Sequence, residues 1–239
     1  MHKISIVLPV KNGDKYLSEC LESILSQSVD DFELLAFDDN STDRTLEILH
    51  SYSDRRIKIF RESGLINNLN KGIALASGLY IARMDADDIM HPERLQIQLK
   101  VMENSDVTVC GSWIYIFGDG IEPRIYQMFS GTLEVKMSLR LLQFVNIMSH
   151  PTVMIRREFL IRHNLRYINS PHTEDYRLWF EIAKLGGIFH TVPEALVAYR
   201  ISNEQDTKVH QQEVGEQSAS IRYEIKEYLD NNLQLGPNI

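Results

Sequence analysis

The sequence predicts an α/β fold in which a mostly parallel central sheet is flanked by helices, and three observations carry that expectation. In the first hundred residues, short β-branched runs alternate with segments whose apolar residues recur at helical spacing, the signature of βαβ units. The unusual polar residues fall at the carboxyl ends of those runs, where open parallel sheets bind ligands. At 239 residues and 44% hydrophobic, the chain can bury one full-sized core.

Residues 4–10 read as the first strand. Asn12-Gly13-Asp14 then turns the chain into a helix carrying Leu17, Leu21, Ile24 and Leu25. Residues 32–37 form the second strand, ended by Asp38-Asp39-Asn40-Ser41-Thr42. Ser41 or Thr42 can cap a helix with Leu46, Leu49 and Tyr52. Residues 57–60 give a third strand, and a helix over about 67–77, stopped by Gly78, leads to a fourth strand at 79–84. The next helix opens at Pro92, with Asp88 or His91 near its cap.

Beyond Val107 the pattern loosens into longer strands, a helix over 133–144 and a strand over 151–155. A helix from near Thr173 carries Leu178, Trp179, Ile182 and Leu185 and stops at Gly186-Gly187. A last strand spans 196–200. From about Glu213 an amphipathic helix carries Ile221, Ile225, Tyr228 and Leu229 and is expected to lie on the body of the protein.

A formal net charge of −8 argues against bulk binding to nucleic acid, which needs many Lys and Arg contacts to phosphate. A phosphate-bearing ligand therefore needs a local cation or basic pocket. Cys20 and Cys110 lie in apolar surroundings without metal-ligand spacing, as expected of small core residues in a reducing cytosol. No signal peptide or membrane-spanning stretch is expected.

Met84-Asp85-Ala86-Asp87-Asp88-Ile89 is the most telling segment. Three carboxylates in four positions follow an apolar run, and like charges repel unless a cation or a ligand's donors neutralise them. The plainer reading is a solvated acidic loop feeding the next helix. Pro9 to Gly13, Asp38 to Ser41 and Asp85 to Asp88 each end a strand, so three segments converge on one rim. Neither a glycine-rich dinucleotide fingerprint nor a phosphate loop is present, which disfavours dehydrogenases, methyltransferases and P-loop enzymes.

Five segments, in this order, resemble the family 2 glycosyltransferases of the GT-A fold. They are Ile6-Val7-Leu8-Pro9-Val10-Lys11-Asn12-Gly13, Asp38-Asp39-Asn40-Ser41-Thr42-Asp43, Leu69-Asn70-Lys71-Gly72, Ala82-Arg83-Met84-Asp85-Ala86-Asp87-Asp88 and Glu174-Asp175-Tyr176-Arg177-Leu178-Trp179. The likeness spans residues 3 to 202, and His150-Pro151-Thr152-Val153-Met154 and Tyr199-Arg200 also fit it. It implies a Rossmann-like GT-A sheet with a C-terminal acceptor-side region and a helical tail. Residues 1–105 would be the nucleotide-sugar-binding half and 106–212 the acceptor-binding and catalytic half of the same domain, with 213–239 the tail.

The resemblance further implies a metal-dependent inverting enzyme that moves a hexose-type sugar from a UDP-sugar to a hydroxyl of a glycan or lipid-linked acceptor in surface polysaccharide synthesis. It would work in the cytoplasm, at the inner face of the membrane if it makes peripheral contact there. Pro9, Val10, Lys11, Asn12, Asp39, Lys71, Asp85 and Ala86 would bind the nucleotide sugar, with Asp39 on the base and Asp85 toward the ribose. Asp87, with Asp85, would hold Mn²⁺ or Mg²⁺. Asp88, His150, Glu174 and Arg200 are secondary candidates. Lys11 stands where many relatives have an aromatic residue, and Ser202 replaces a frequent histidine.

Asp175 is the general-base candidate: Leu178, Trp179 and Ile182 at plus three, four and seven share its inward face, whereas Glu174 is expected to be rotated off it. As a plain structural residue it would be a first-turn carboxylate favoured by the helix dipole. His150 has a packing alternative. Arg156, Arg157, Arg162 and Arg166 form either a solvated face or a contact for an acidic lipid surface. Two rivals remain: a sugar nucleotidyltransferase, which should carry a Gly-rich, basic loop after the first strand that is missing here, and a nucleotide-sugar binding module without turnover.

Overall fold

The computed structural model describes residues 2–170, 172–202 and 209–232. Strands β1 (Ile4–Val10) and β2 (Phe32–Asp38) are buried at every position, as strands covered on both faces must be. They pair in parallel from Ile4 opposite Phe32 to Val10 opposite Asp38. Strand β3 (Ile57–Arg61) adds to β2 and β4 (Tyr80–Arg83) to the other side of β1, all parallel. Helices α1 (Leu17–Leu25), α2 (Thr45–Ser51) and α3 (Leu65–Leu75) make the crossovers. All the parallel strands here end on the same rim.

The second half departs from simple βαβ. It runs β5 (Ile89–Met90), α4 (Arg94–Glu103), β6 (Val109–Gly118), β7 (Arg124–Tyr126), β8 (Gly131–Leu133) and α5 (Val135–Leu142). A 3₁₀ turn at His150–Thr152, β9 (Met154–Arg156), α6 (Arg157–Arg162), α7 (Glu174–Lys184), β10 (Phe189–Ile201) and α8 (Gln211–Asn232) follow. Strand β9 lies antiparallel between β4 and β6, β10 runs parallel to β6, and β5 closes the far edge, giving the order β3-β2-β1-β4-β9-β6-β10-β5.

Each face has its own core. Leu17, Leu21 and Ile24 of α1 and Leu95 and Leu99 of α4 cover one face, with Met84 and Met90. On the other, Leu69 and Ile73 of α3 pack with Trp179 and Ile182 of α7 and with Ile221, Ile225 and Leu229 of α8. The four-residue spacing of the last three confirms the tail helix as an amphipathic element laid on the body.

Several boundaries differ from the sequence expectations for identifiable reasons. Helix α2 starts at Thr45 because Ser41 and Asn12 are bonded across the rim instead: Ser41 Oγ accepts the Asn12 N–H at 2.9 Å, and Asn12 Oδ1 accepts the Thr42 N–H at 2.9 Å. Helix α3 ends at Leu75, so Gly78 is not its stop. A Cβ at Gly78 would sit 2.6 Å from the Ser5 nitrogen, so glycine is needed there for close packing on β1. Helix α4 begins at Arg94, and Asp88 does not cap it. The 133–144 helix shortens to α5, and the 151–155 strand becomes a 3₁₀ turn followed by β9.

Candidate active site

The loops after β1 and β2 are laced together at the rim. Asn12 and Asn40 take left-handed backbone angles, φ 49° and 50°, which asparagine tolerates better than most residues. The Gly13 N–H donates to Thr45 Oγ1 at 2.8 Å and the Asp39 N–H to the Val10 carbonyl at 2.8 Å. Pro9 and Val10 are buried, while Lys11 is exposed. Asp39 is partly exposed and its Oδ1 accepts the Gly64 N–H at 2.8 Å, fixing the start of α3. Lys71 lies on α3 with its ammonium paired to Glu62.

The acidic run turns immediately after β4. Asp85 pairs with the buried Arg83, and its carbonyl accepts from the Cys20 thiol. Asp85, Ala86 and Asp87 are partly exposed, whereas Asp88 is 1% exposed. Asp88 Oδ1 accepts the Arg200 N–H at 2.8 Å, and its Oδ2 has no hydrogen-bond partner. Burial, then the Asp85 charge, lifts the Asp87 carboxyl to about 6, and burial with the Asp85 and Asp87 charges lifts Asp88 well above the carboxylate range. Such crowding, with an orphaned buried oxygen, is what an oxygen-ligating divalent cation would relieve, so these carboxylates fit Mn²⁺ or Mg²⁺. Arg200 holds the turn from the far side: its Nε donates to the Asp87 carbonyl at 2.8 Å, it pairs with Glu19, and it lies over the Tyr16 and Phe117 rings at 4.1 and 4.5 Å.

Glu174 and Asp175 open α7. Asp175 is partly exposed; it accepts from Asn146 Nδ2 at 2.8 Å and from the Tyr176 N–H at 2.7 Å. Burial raises its pKa, and those donors with the Arg83 charge restrain the rise. Glu174 is not rotated away from the interior as expected: it is 7% exposed, and burial, then Asp175, raises it to about 7. The first turn of α7 is enclosed on more than one side, so the helical face rule does not separate the two carboxylates. His150 is buried, its Nε2 is 2.9 Å from Tyr167 Oη and its Nδ1 is 3.8 Å from Glu174, and burial drives its pKa well down. Its imidazole is therefore held neutral among Tyr167, Trp179 and Glu174.

Arg83, which closes β4, links the two groups of carboxylates. Its charge acts on Asp85, Asp87 and Asp88 on one side and on Glu174, Asp175 and Tyr167 on the other, so the two acidic groups share one buried cation. A charged residue closing an apolar strand two positions before an acidic run was the available signal. Arg94, fully buried, donates to the Arg83 carbonyl at 2.9 Å and so fixes the end of β4. Asn146 had no local signal, because only the tertiary fold brings it to Asp175.

The strand ends of this open α/β sheet gather carboxylates on one rim, where such sheets bind ligands. The family profile described as Glycosyl transferase family 2 matches residues 5–163, and the chain belongs to that family. An uncharacterized glycosyltransferase of Haemophilus influenzae is 31% identical over 96% of this chain and 75% of its own length. The O-antigen biosynthesis glycosyltransferase WbnJ of Escherichia coli is 30% identical over 86% of this chain and 82% of its own. Among solved structures, residues 1–349 of Staphylococcus aureus TarS with UDP-GlcNAc superpose with a TM-score of 0.72 at 21% identity, covering 85% of this chain and 60% of that one. The mannosyltransferase PcManGT of Pyrobaculum calidifontis, with GDP-Man and Mn²⁺, gives a TM-score of 0.66 at 14% identity, covering 96% of this chain and 75% of that one. These two likenesses establish the fold. No described helix is long and apolar enough to cross a membrane.

Proposed function

We propose that the chain transfers a hexose-type sugar, with inversion, from a UDP-sugar to a hydroxyl of a glycan or lipid-linked acceptor in surface polysaccharide synthesis. The observation that carries this reading is the shared Arg83, which joins the rim aspartates and the α7 carboxylates into one electrostatic unit. Complexes of structural neighbours with UDP-GlcNAc and GDP-Man support a nucleotide-sugar donor, and the O-antigen relative supports the pathway class.

In this reading Asp39 accepts from the uracil ring N–H, the loop from Pro9 to Asn12 borders the nucleotide, Lys71 reaches a phosphate by exchanging with Glu62, and Asp85 with Ala86 faces the ribose. Asp87, with Asp85, would hold Mn²⁺ or Mg²⁺, which when bound supplies positive charge for the departing diphosphate. Asp175 is the base. It is the more accessible of the two α7 carboxylates, and burial raises its pKa, making it more basic than a free carboxylate. It takes the acceptor hydroxyl's proton as that oxygen bonds the anomeric carbon and the bond to diphosphate breaks from the opposite face. Asp88 and Arg200 position the acidic turn, and Glu174 and His150 support the start of α7. Peripheral contact with the inner face of the membrane belongs to the same reading, supported by exposed Phe144 and Val145 next to Asn146.

The test is Asp175→Asn. It keeps the shape of the side chain but removes the base, so transfer falls by roughly 10²–10⁴-fold. Affinity for the UDP-sugar stays near that of the native protein. Full transfer by the variant to an identified acceptor would falsify the assignment.

A further inference from the structure

Outside the rim, His172, His210 and Glu213 bring ligand atoms within 4.8 Å of one another. His172 stands in the loop two residues before Glu174, with a left-handed φ of 60°. His210 immediately precedes α8, and Glu213 lies in its first turn, three residues on and therefore on the same helical side. The two imidazoles stack, centroids 4.3 Å apart and planes 14° apart. Glu213 Oε2 is 3.5 Å from His172 Nε2 and 3.6 Å from His210 Nδ1.

We propose that His172, His210 and Glu213 form a zinc site that staples the loop entering α7 to the first turn of α8. Tetrahedral zinc with bonds of about 2.0–2.1 Å needs ligand atoms roughly 3.4 Å apart, so the two distances to Glu213 match two edges of such a site, while the stacked rings must turn out of parallel for both nitrogens to face one ion. Two imidazoles with one carboxylate select zinc over Mg²⁺ or Mn²⁺, which prefer oxygen ligands like those of the acidic rim. The ligands come from elements far apart in sequence, so binding favours the folded state alone and orders the chain just ahead of Asp175. His172 is 14% exposed and Glu213 61%, which leaves solvent access for the ion while shielding one face. The alternative is a stacked histidine pair held against Glu213 with no ion.

Calorimetric titration of the metal-free chain with Zn²⁺, backed by elemental analysis, separates the two. One zinc per chain is expected, with a raised unfolding midpoint and no competition from excess Mg²⁺. His172→Gln, His210→Gln and Glu213→Gln should each weaken binding by at least about 100-fold, since even outer partners of a metal site are worth about 10–100-fold. Asp87→Asn should bind zinc as the native chain does, which keeps this site distinct from the donor-side cation. Unfolding midpoints in chelator report whether each variant folds. Absence of saturable zinc binding, or binding that survives His210→Gln but not Asp87→Asn, overturns the proposal.

Discussion

The carboxylate of Asp175 is held by the Asn146 side chain and the Tyr176 N–H, and the first of these gives a prediction. Asn146→Ala removes the 2.8 Å donor that favours the charged form, so the Asp175 pKa rises further. A base must be ionised, so the acidic limb of the kcat/KM profile moves to higher pH and activity is lost earlier as pH falls. A pH–rate profile that superposes on the native one would remove Asn146 from this role. Asp39 tests the other end of the site. Because its Oδ1 also anchors Gly64, Asp39→Asn is the better variant: its carbonyl can keep that anchor while its amide opposes the base N–H. Losing the acceptor costs on the order of 1–3 kcal/mol of uridine preference, read by competition among nucleoside diphosphates. At this scale the motif residues were legible because several carboxylates together demand an explanation. Asn146 was not, since its partner Asp175 comes from a distant segment, and for Arg83 only the pairing with nearby Asp85 has a local signal, not its reach to the α7 carboxylates.

Elements show the same division. Helices α1, α7 and α8 were readable because apolar spacing alone defines the buried face of each. Strand β10 was read only from 196 to 200, because Pro193 and Glu194 fall in an irregularity in its pairing with β6 and break the pattern there. Two positions make the packing between elements testable. Buried Glu33 accepts from Ser5 Oγ at 2.6 Å, the Ser77 N–H at 2.7 Å and Lys58 Nζ at 2.6 Å. Burial pushes its pKa up, but these donors outweigh it and hold the group down from 4.5 to about 2. Its stabilisation, about 3 kcal/mol, is therefore complete above its ordinary pKa and lost as pH falls toward 2. Urea unfolding at neutral pH and near pH 3 should show a drop in the native chain that Glu33→Gln largely lacks. Gly78→Ala forces a Cβ against the β1 backbone and should cost at least about 1–3 kcal/mol by the same measurement.

For the whole molecule, the parallel half follows from local order, since βαβ units fix their own neighbours. The second half depends on non-local pairings, β9 reversed between β4 and β6 and β6 beside β10, which no local periodicity encodes. That arrangement brings the α7 carboxylates to the same buried Arg83 that pairs with Asp85. In the proposed function this rim holds a uridine diphosphate sugar through a cation on Asp87. The most direct test is calorimetric titration of UDP into the purified chain in Mn²⁺ and in chelator, with the native protein and Asp87→Ala. Binding that requires the cation and weakens in the variant is the predicted result. Equal affinity in Mn²⁺ and chelator, with Asp87→Ala unchanged, would contradict it.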